Sequence, residues 1–167
     1  VSPFLLEKGV VYSTLNQVPA MGPSQLSKQL SEAGSLANEK YLQPFLQLPG
    51  TVTERTRAKA RELTRGKKSD WARAAALTSY LQQNFKYNLE VDFYPESADT
   101  VDHFLFEEKE GYCEQFATSL CVLARAAGLP SRYVTGYLPG TFNPVSGFYE
   151  IKASDAHAWA EIYFQGY

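Results

Sequence analysis

Apolar side chains recur at spacings of three and four through the middle of this chain and at every second position towards its end, with the change near Ser131. The first regime predicts helices. Residues 52–65 form a positively charged amphipathic segment stopped by Gly66, and a second helix opens with Ser69 as N-cap and Asp70 in its first turn. Along that second helix Ala74, Leu77, Leu81 and Phe85 share the face a core would cover. Residues 85–89 alternate as a short strand would and give way to an Asp/Pro/Glu/Ser loop. Asp99 or Thr100 then caps a short helix running through Phe106, and residues 107–110 make a solvated turn. An apolar helix follows over 114–127, entered through Gly111-Tyr112-Cys113, with Phe116, Leu120, Leu123 and Ala127 on one side. Gly128 and Pro130 stop it.

Beyond Ser131 the pattern predicts strands at 132–137, 148–152 and 157–164, with a Pro/Gly/Asn loop between the first two. Helices first and an antiparallel sheet afterwards define an α+β fold. Upstream, residues 4–18 hold Val10, Val11, Tyr12 and Val18 among turn-formers, enough for one strand, and 19–38 is a polar Pro/Ser-rich stretch. The chain therefore divides into an N-terminal extension, 1–50, that docks on a core spanning 51–167.

Composition narrows the function. The 167 residues are 44% hydrophobic and 20% charged with a formal charge of -2, which is the mixture of one globular domain. No Lys/Arg block is dense enough to attract nucleic acid or an anionic membrane surface, so neither is an expected partner. No run approaches the roughly 18–20 apolar residues of a membrane span. The start at Val1-Ser2-Pro3 is neither an initiator methionine nor a signal peptide, and the end at Gly166-Tyr167 interrupts a strand-like pattern, so an excised fragment is expected.

Cys113 and Cys121 are the two cysteines. With helix between them their α-carbons stand about 12 Å apart, beyond disulfide reach, so both are expected as free thiols. Cys121, in Leu120-Cys121-Val122, reads as a buried core residue. Cys113 differs, because it sits where the apolar helix opens. A helix N-terminus or a neighbouring imidazolium favours a thiolate, and the unpaired N–H groups of a first turn can receive an oxyanion. The imidazole is supplied by His157, centred in Asp155-Ala156-His157-Ala158-Trp159-Ala160-Glu161, on a strand remote in sequence that the fold can bring to the helix start. His103, among charged residues, is expected to face solvent. No C-x-x-C or H-x₃-H spacing and no glycine-rich phosphate loop occurs, so neither a metal nor another cofactor is expected.

Gly111-Tyr112-Cys113-Glu114-Gln115-Phe116-Ala117, then Ala126-Ala127-Gly128-Leu129-Pro130-Ser131-Arg132, then His157-Ala158-Trp159 occur in this order. Together these motifs resemble the transglutaminase-like superfamily, most closely its bacterial membrane-anchored members, over about residues 53–167. The resemblance implies a papain-like, transglutaminase-core fold with the cysteine helix packed on the sheet that carries the histidine. It implies Cys113 as nucleophile and His157 as general base, with a protein or peptide glutamine carboxamide as substrate, and a periplasmic or extracellular location between the transmembrane helices of a membrane-anchored parent. The family's third residue, an Asp on the strand after the histidine strand, has no counterpart through Tyr167, so the fragment is expected to stop before it and to be weakly active or inactive. Asp155, two residues before His157, reads as a turn residue instead. Tyr112 and Trp159 are candidate walls of the substrate pocket, and Glu114 and Gln115 cap or solvate the helix start. A cysteine peptidase or amidase using the same pair, or a non-catalytic peptide-binding module of the same fold, are the competing readings.

Overall fold

A computed structural model describes residues 23–32, 39–91 and 99–164. The strand expected within 4–18 lies outside them. The described elements run in the order α1 (Pro23–Glu32), a 3-10 turn (Lys40–Leu46), α2 (Glu54–Thr64), α3 (Asp70–Asn84), β1 (Lys86–Tyr87), α4 (Thr100–His103), β2 (Glu110–Gly111), α5 (Cys113–Ala126), β3 (Ser131–Tyr137), β4 (Thr141–Asn143), β5 (Phe148–Glu150) and β6 (Ala156–Ile162). The mixed helix-and-sheet class expected from the sequence is the one found.

Side-chain caps fix where the helices begin. The Thr53 hydroxyl accepts from the Thr56 N–H at the start of α2, Ser69 from Ala72 at the start of α3, and Asp99 from Asp102 at the start of α4. α4 widens after His103 into one π-helical turn over Phe104–Glu108, closed by Lys109 in the left-handed region at φ 57°. The turn expected at 107–110 is therefore the end of a helix followed by a strand. Gly128, at φ 77°, terminates α5, where a side chain would be strained.

α5 is the centre of the fold, not an element with one covered side. Leu123 and Ala124 are fully buried against Ala60, Leu77, Phe104 and Leu105, while Ala117 and Cys121 are 5% exposed. α2, α3 and α4 pack on it from one direction, β3 and β6 from another. Leu77, Phe104 and Leu123 each reach zero exposure, so truncating one to alanine costs about 2–5 kcal/mol through lost burial and the cavity left behind.

The sheet is divided. β3 and β6 pair antiparallel from Ser131 opposite Ile162 to Tyr137 opposite Ala156, and β5, on the strand expected at 148–152, forms a separate antiparallel hairpin with β4, which lies in the expected loop. β1 pairs with β2 in parallel, Tyr87 beside Gly111, so the short strand expected at 85–89 exists only as two residues. α1 occupies part of the polar stretch that carried no helical pattern, with Leu30 as its buried residue. His103 is half-buried, contrary to the solvent-facing expectation, with its Nε2 3.9 Å from the carboxylate of Glu108, the last residue of the widened turn.

One buried carboxylate ties two helices together. Asp102, 8% exposed, accepts two hydrogen bonds from Arg55 Nε at 2.8 and 2.9 Å and another from the Thr53 hydroxyl. The Arg55 guanidinium, ahead of the opposing effect of burial and with help from Thr53, holds its carboxyl below the usual carboxylate range.

Candidate functional site

Cys113 is the first residue of α5, with Tyr112 as its N-cap. The Tyr112 N–H donates to the Gln115 side-chain oxygen at 3.1 Å, so Gln115 caps the helix as expected, and Glu114 next to it is exposed. The N–H groups of this first turn have no partners within the helix, leaving a positive end beside the half-buried thiol.

β6 supplies the imidazole. His157, Trp159 and Glu161 alternate along one side of the strand, while Ala158 on the other is 5% exposed. Across β3 the partner of His157 is Gly136, where an added Cβ would lie 3.0 Å from a ring carbon of Trp159. Glycine there makes room for the indole. The Trp159 Nε1 donates to Glu161 at 3.1 Å, and Glu161 accepts from Arg132 Nε at 2.6 Å on the facing strand. The indole hydrogen bond, then Arg132, hold the Glu161 carboxyl below its ordinary value against the effect of burial. A chain of polar contacts thus fixes the aromatic neighbour of His157.

Helix and strand meet at a cavity of about 470 Å³. Leu81 and Gln82 of α3 line it with Phe85 and Tyr87, Cys113, Phe116 and Leu120 of α5, and His157 and Trp159 of β6. Its walls are mostly apolar, and its size is that of a small-ligand or side-chain site. The fold therefore brings Cys113, His157 and Trp159 to one space. Tyr112 is not among the residues that line it. Asp155 takes the turn role expected of it, accepting the Lys152 N–H at 2.6 Å. Among the described residues no carboxylate hydrogen-bonds the His157 imidazole.

The other thiol is set apart. Cys121 lies in the core, and burial pushes its thiol above the ordinary range despite the opposing influences of Ser131 and Arg125. Among the described residues there is no cluster of three or more His, Cys, Asp or Glu side chains that could hold a metal ion. Tyr87 and Glu161 are the neighbours that the sequence reasoning did not assign. Glu161 carried the signal of period-two alternation from His157, whereas Tyr87 reaches the site only through a parallel pairing with no local signature.

A thiol at a helix start and an imidazole on an antiparallel strand open onto one cavity within a mixed helix-and-sheet fold. The family model for the transglutaminase-like superfamily matches residues 57–167, and the chain belongs to that superfamily, whose members are typically cysteine enzymes. It is 39% identical over 126 residues to the protein YebA of Bacillus subtilis, covering 72% of this chain, and 38% identical over 119 residues to a protein-glutamine gamma-glutamyltransferase of Pseudomonas aeruginosa, covering 71%. It spans 17% and 18% of those relatives' lengths. The crystal structure of the periplasmic domain of TgpA from Pseudomonas aeruginosa is similar with TM-score 0.66 and 37% identity, over 72% of this chain and 42% of that one. A candidate cysteine protease from Cytophaga hutchinsonii, 23% identical with TM-score 0.60 over 84% of this chain and 44% of that one, shares the fold.

Proposed function

We propose that this chain is the acyl-transfer core of a protein-glutamine transferase, in which Cys113 is the nucleophile and His157 the base. The observation that carries the reading is the opening of both residues, the thiol at a helix N-terminus, onto one apolar cavity. His157 takes the thiol proton, and the sulfur attacks the carbon of a glutamine side-chain carboxamide. The oxygen that gains the electron pair is held by first-turn N–H groups of α5. Collapse breaks the C–N bond, the imidazolium returns its proton to the departing ammonia, and a thioester remains on Cys113. An amine resolves the thioester to a transamidated product, or water resolves it to glutamate. Trp159, held by Glu161, screens the imidazole from water on one side and favours transfer to the amine.

The similarity to the Pseudomonas transferase supports the reaction class, and the likeness to a periplasmic domain supports an extracytoplasmic placement within a larger, membrane-anchored parent. No helix among the described residues is long and apolar enough to cross a membrane, so an anchor would lie elsewhere in that parent. The test is incubation with a labelled primary amine and casein. Incorporation that disappears in Cys113→Ala supports the reading. Cleavage of casein without incorporation would replace it with peptidase chemistry, and binding without either would make the domain a peptide-holding module.

A further inference from the structure

The β4–β5 hairpin leaves the β3–β6 pair at the end that carries His157: the Leu138 N–H donates to the Asp155 carbonyl at 2.8 Å, one step beyond Tyr137 opposite Ala156. From Leu138 to Tyr149 the sequence holds no charged residue. Phe142 lies opposite Tyr149 with ring centroids 5.3 Å apart, and Phe148, opposite Asn143, alternates onto the other face. Phe142, Phe148 and Tyr149 are each more than half exposed, and Val145, in the turn, is 95% exposed. Apolar side chains therefore stand on both faces and at the tip, and neither face is covered.

An antiparallel hairpin that docks on a protein presents one apolar face and turns the other to water. This one is apolar all round, which suits a medium that surrounds it. The backbone points the same way, because polar groups carried into an apolar medium must already be paired. Pro144 has no N–H to satisfy. The Asn143 side-chain oxygen accepts from the N–H groups of Val145 and Ser146 at 2.9 and 3.2 Å, the Asn143 carbonyl from Gly147 at 2.9 Å, and the Ser146 hydroxyl from Phe148 at 3.4 Å. The Asn143 amide in turn donates to Glu150. Every N–H from residue 145 to residue 148 thus has its partner inside the turn.

We propose that this hairpin is a membrane-docking element whose tip, Phe142 to Tyr149, enters the interfacial region of a lipid bilayer. Val145 and the two phenylalanines reach the acyl boundary, the Tyr149 hydroxyl stands at headgroup depth, and Glu150 and Lys152 stay in water. From the level of Glu150 to the tip is about 10 Å at ~3.3 Å per residue, close to the roughly 5–10 Å to which interfacial elements enter. Apolar area drives the insertion, so an uncharged bilayer suffices and no basic patch is required. So few side chains bind weakly from free solution and effectively when an anchor already holds the domain at the surface. Docking in this way turns the His157 end of the strand pair towards the membrane, and it is independent of acyl transfer by Cys113.

The test holds the whole chain, through a histidine tag, on phosphatidylcholine vesicles that carry a nickel-chelating lipid, as an anchor would hold it. Val145→Trp puts a fluorescent indole at the tip, read against the parent chain with its own Trp71 and Trp159. The expected result is emission shifted to the blue and quenched by lipids brominated in their acyl chains. Adding Phe142→Ser and Phe148→Ser should lower the ratio of inserted to free tip about tenfold for each phenylalanine removed. Slow labelling of Cys121 in those variants shows that the core is intact. A tip indole that keeps its water-like emission and escapes the quencher would overturn the proposal, and so would quenching that the serine substitutions leave unchanged, since that reports the tether alone. A blue shift that needs no vesicles and grows with protein concentration would also overturn it and assign the hairpin to a second copy of the chain. A shift that appears only with casein would overturn it in favour of a polypeptide partner.

Discussion

Cys113 begins α5, half-buried at a cavity and beside backbone N–H groups that the helix leaves unpaired. Cys121 sits two turns further along the same helix, 5% exposed, its backbone groups committed to the helix and its thiol shifted upward by burial. The residue type and the helix are the same, so the difference between them is set by position. The first turn offers a positive end, an adjacent strand with an imidazole and room for a ligand. The middle offers only packing. A thiol becomes a nucleophile through the groups around it, and the fold assembles those groups at one end of α5 alone.

The sharpest way to break the contrast is to remove each sulfur. Cys113→Ala should abolish amine incorporation, a fall on the order of 10⁵–10⁶ in rate by comparison with other nucleophile deletions, measured with labelled amine and casein in the largest parent that retains turnover. Cys121→Ala should leave the rate within about twofold. Next in size is His157→Gln, which keeps a polar side chain on β6 and removes the base; transfer should fall about 10²–10⁴-fold. An unchanged rate in that variant would detach the imidazole from the chemistry.

Smaller effects separate the site from its scaffold. Asp102→Ala removes the buried partner of Arg55 and Thr53 and should cost about 2 kcal/mol in denaturant unfolding while leaving Cys113 labelling unchanged. Because the folded carboxyl is held below its unfolded value of about 3.9, the stabilisation is present above that pH and is lost as pH falls through the lowered folded value. Asp102→Asn should therefore unfold with a weaker acid dependence than the parent. Chelation with EDTA is expected to leave transfer unchanged, and a loss on chelation that calcium restores would contradict the metal-free mechanism.

Much of this was legible in the sequence where the signals are local. The 3–4 spacing of Ala74, Leu77 and Leu81, the caps at Ser69 and Asp99, and the Gly128-Leu129-Pro130 stop each act within a few residues, and the elements they mark are present. The cysteine at a helix start and the histidine on a strand were visible for the same reason. What escaped depends on tertiary pairing. β1 and β2 are two residues each and are joined in parallel across an intervening helix, so no turn motif announces them, and Tyr87 therefore gave no sign of its place beside Cys113. α1 buries Leu30 within an otherwise polar segment, too little for a periodic pattern. Asp102 looks like a surface acid until Arg55, 47 residues away, closes over it.

The account stands most directly on the claim that Cys113, and not Cys121, is the chemically competent thiol. Iodoacetamide labelling as a function of pH, with the two cysteines resolved by peptide mass spectrometry, tests it in one sample. The predicted result is labelling of Cys113 at neutral pH on the order of 10² times faster than Cys121, whose labelling should rise only above the ordinary thiol range. Equal rates at the two positions, or faster labelling of Cys121, would contradict it.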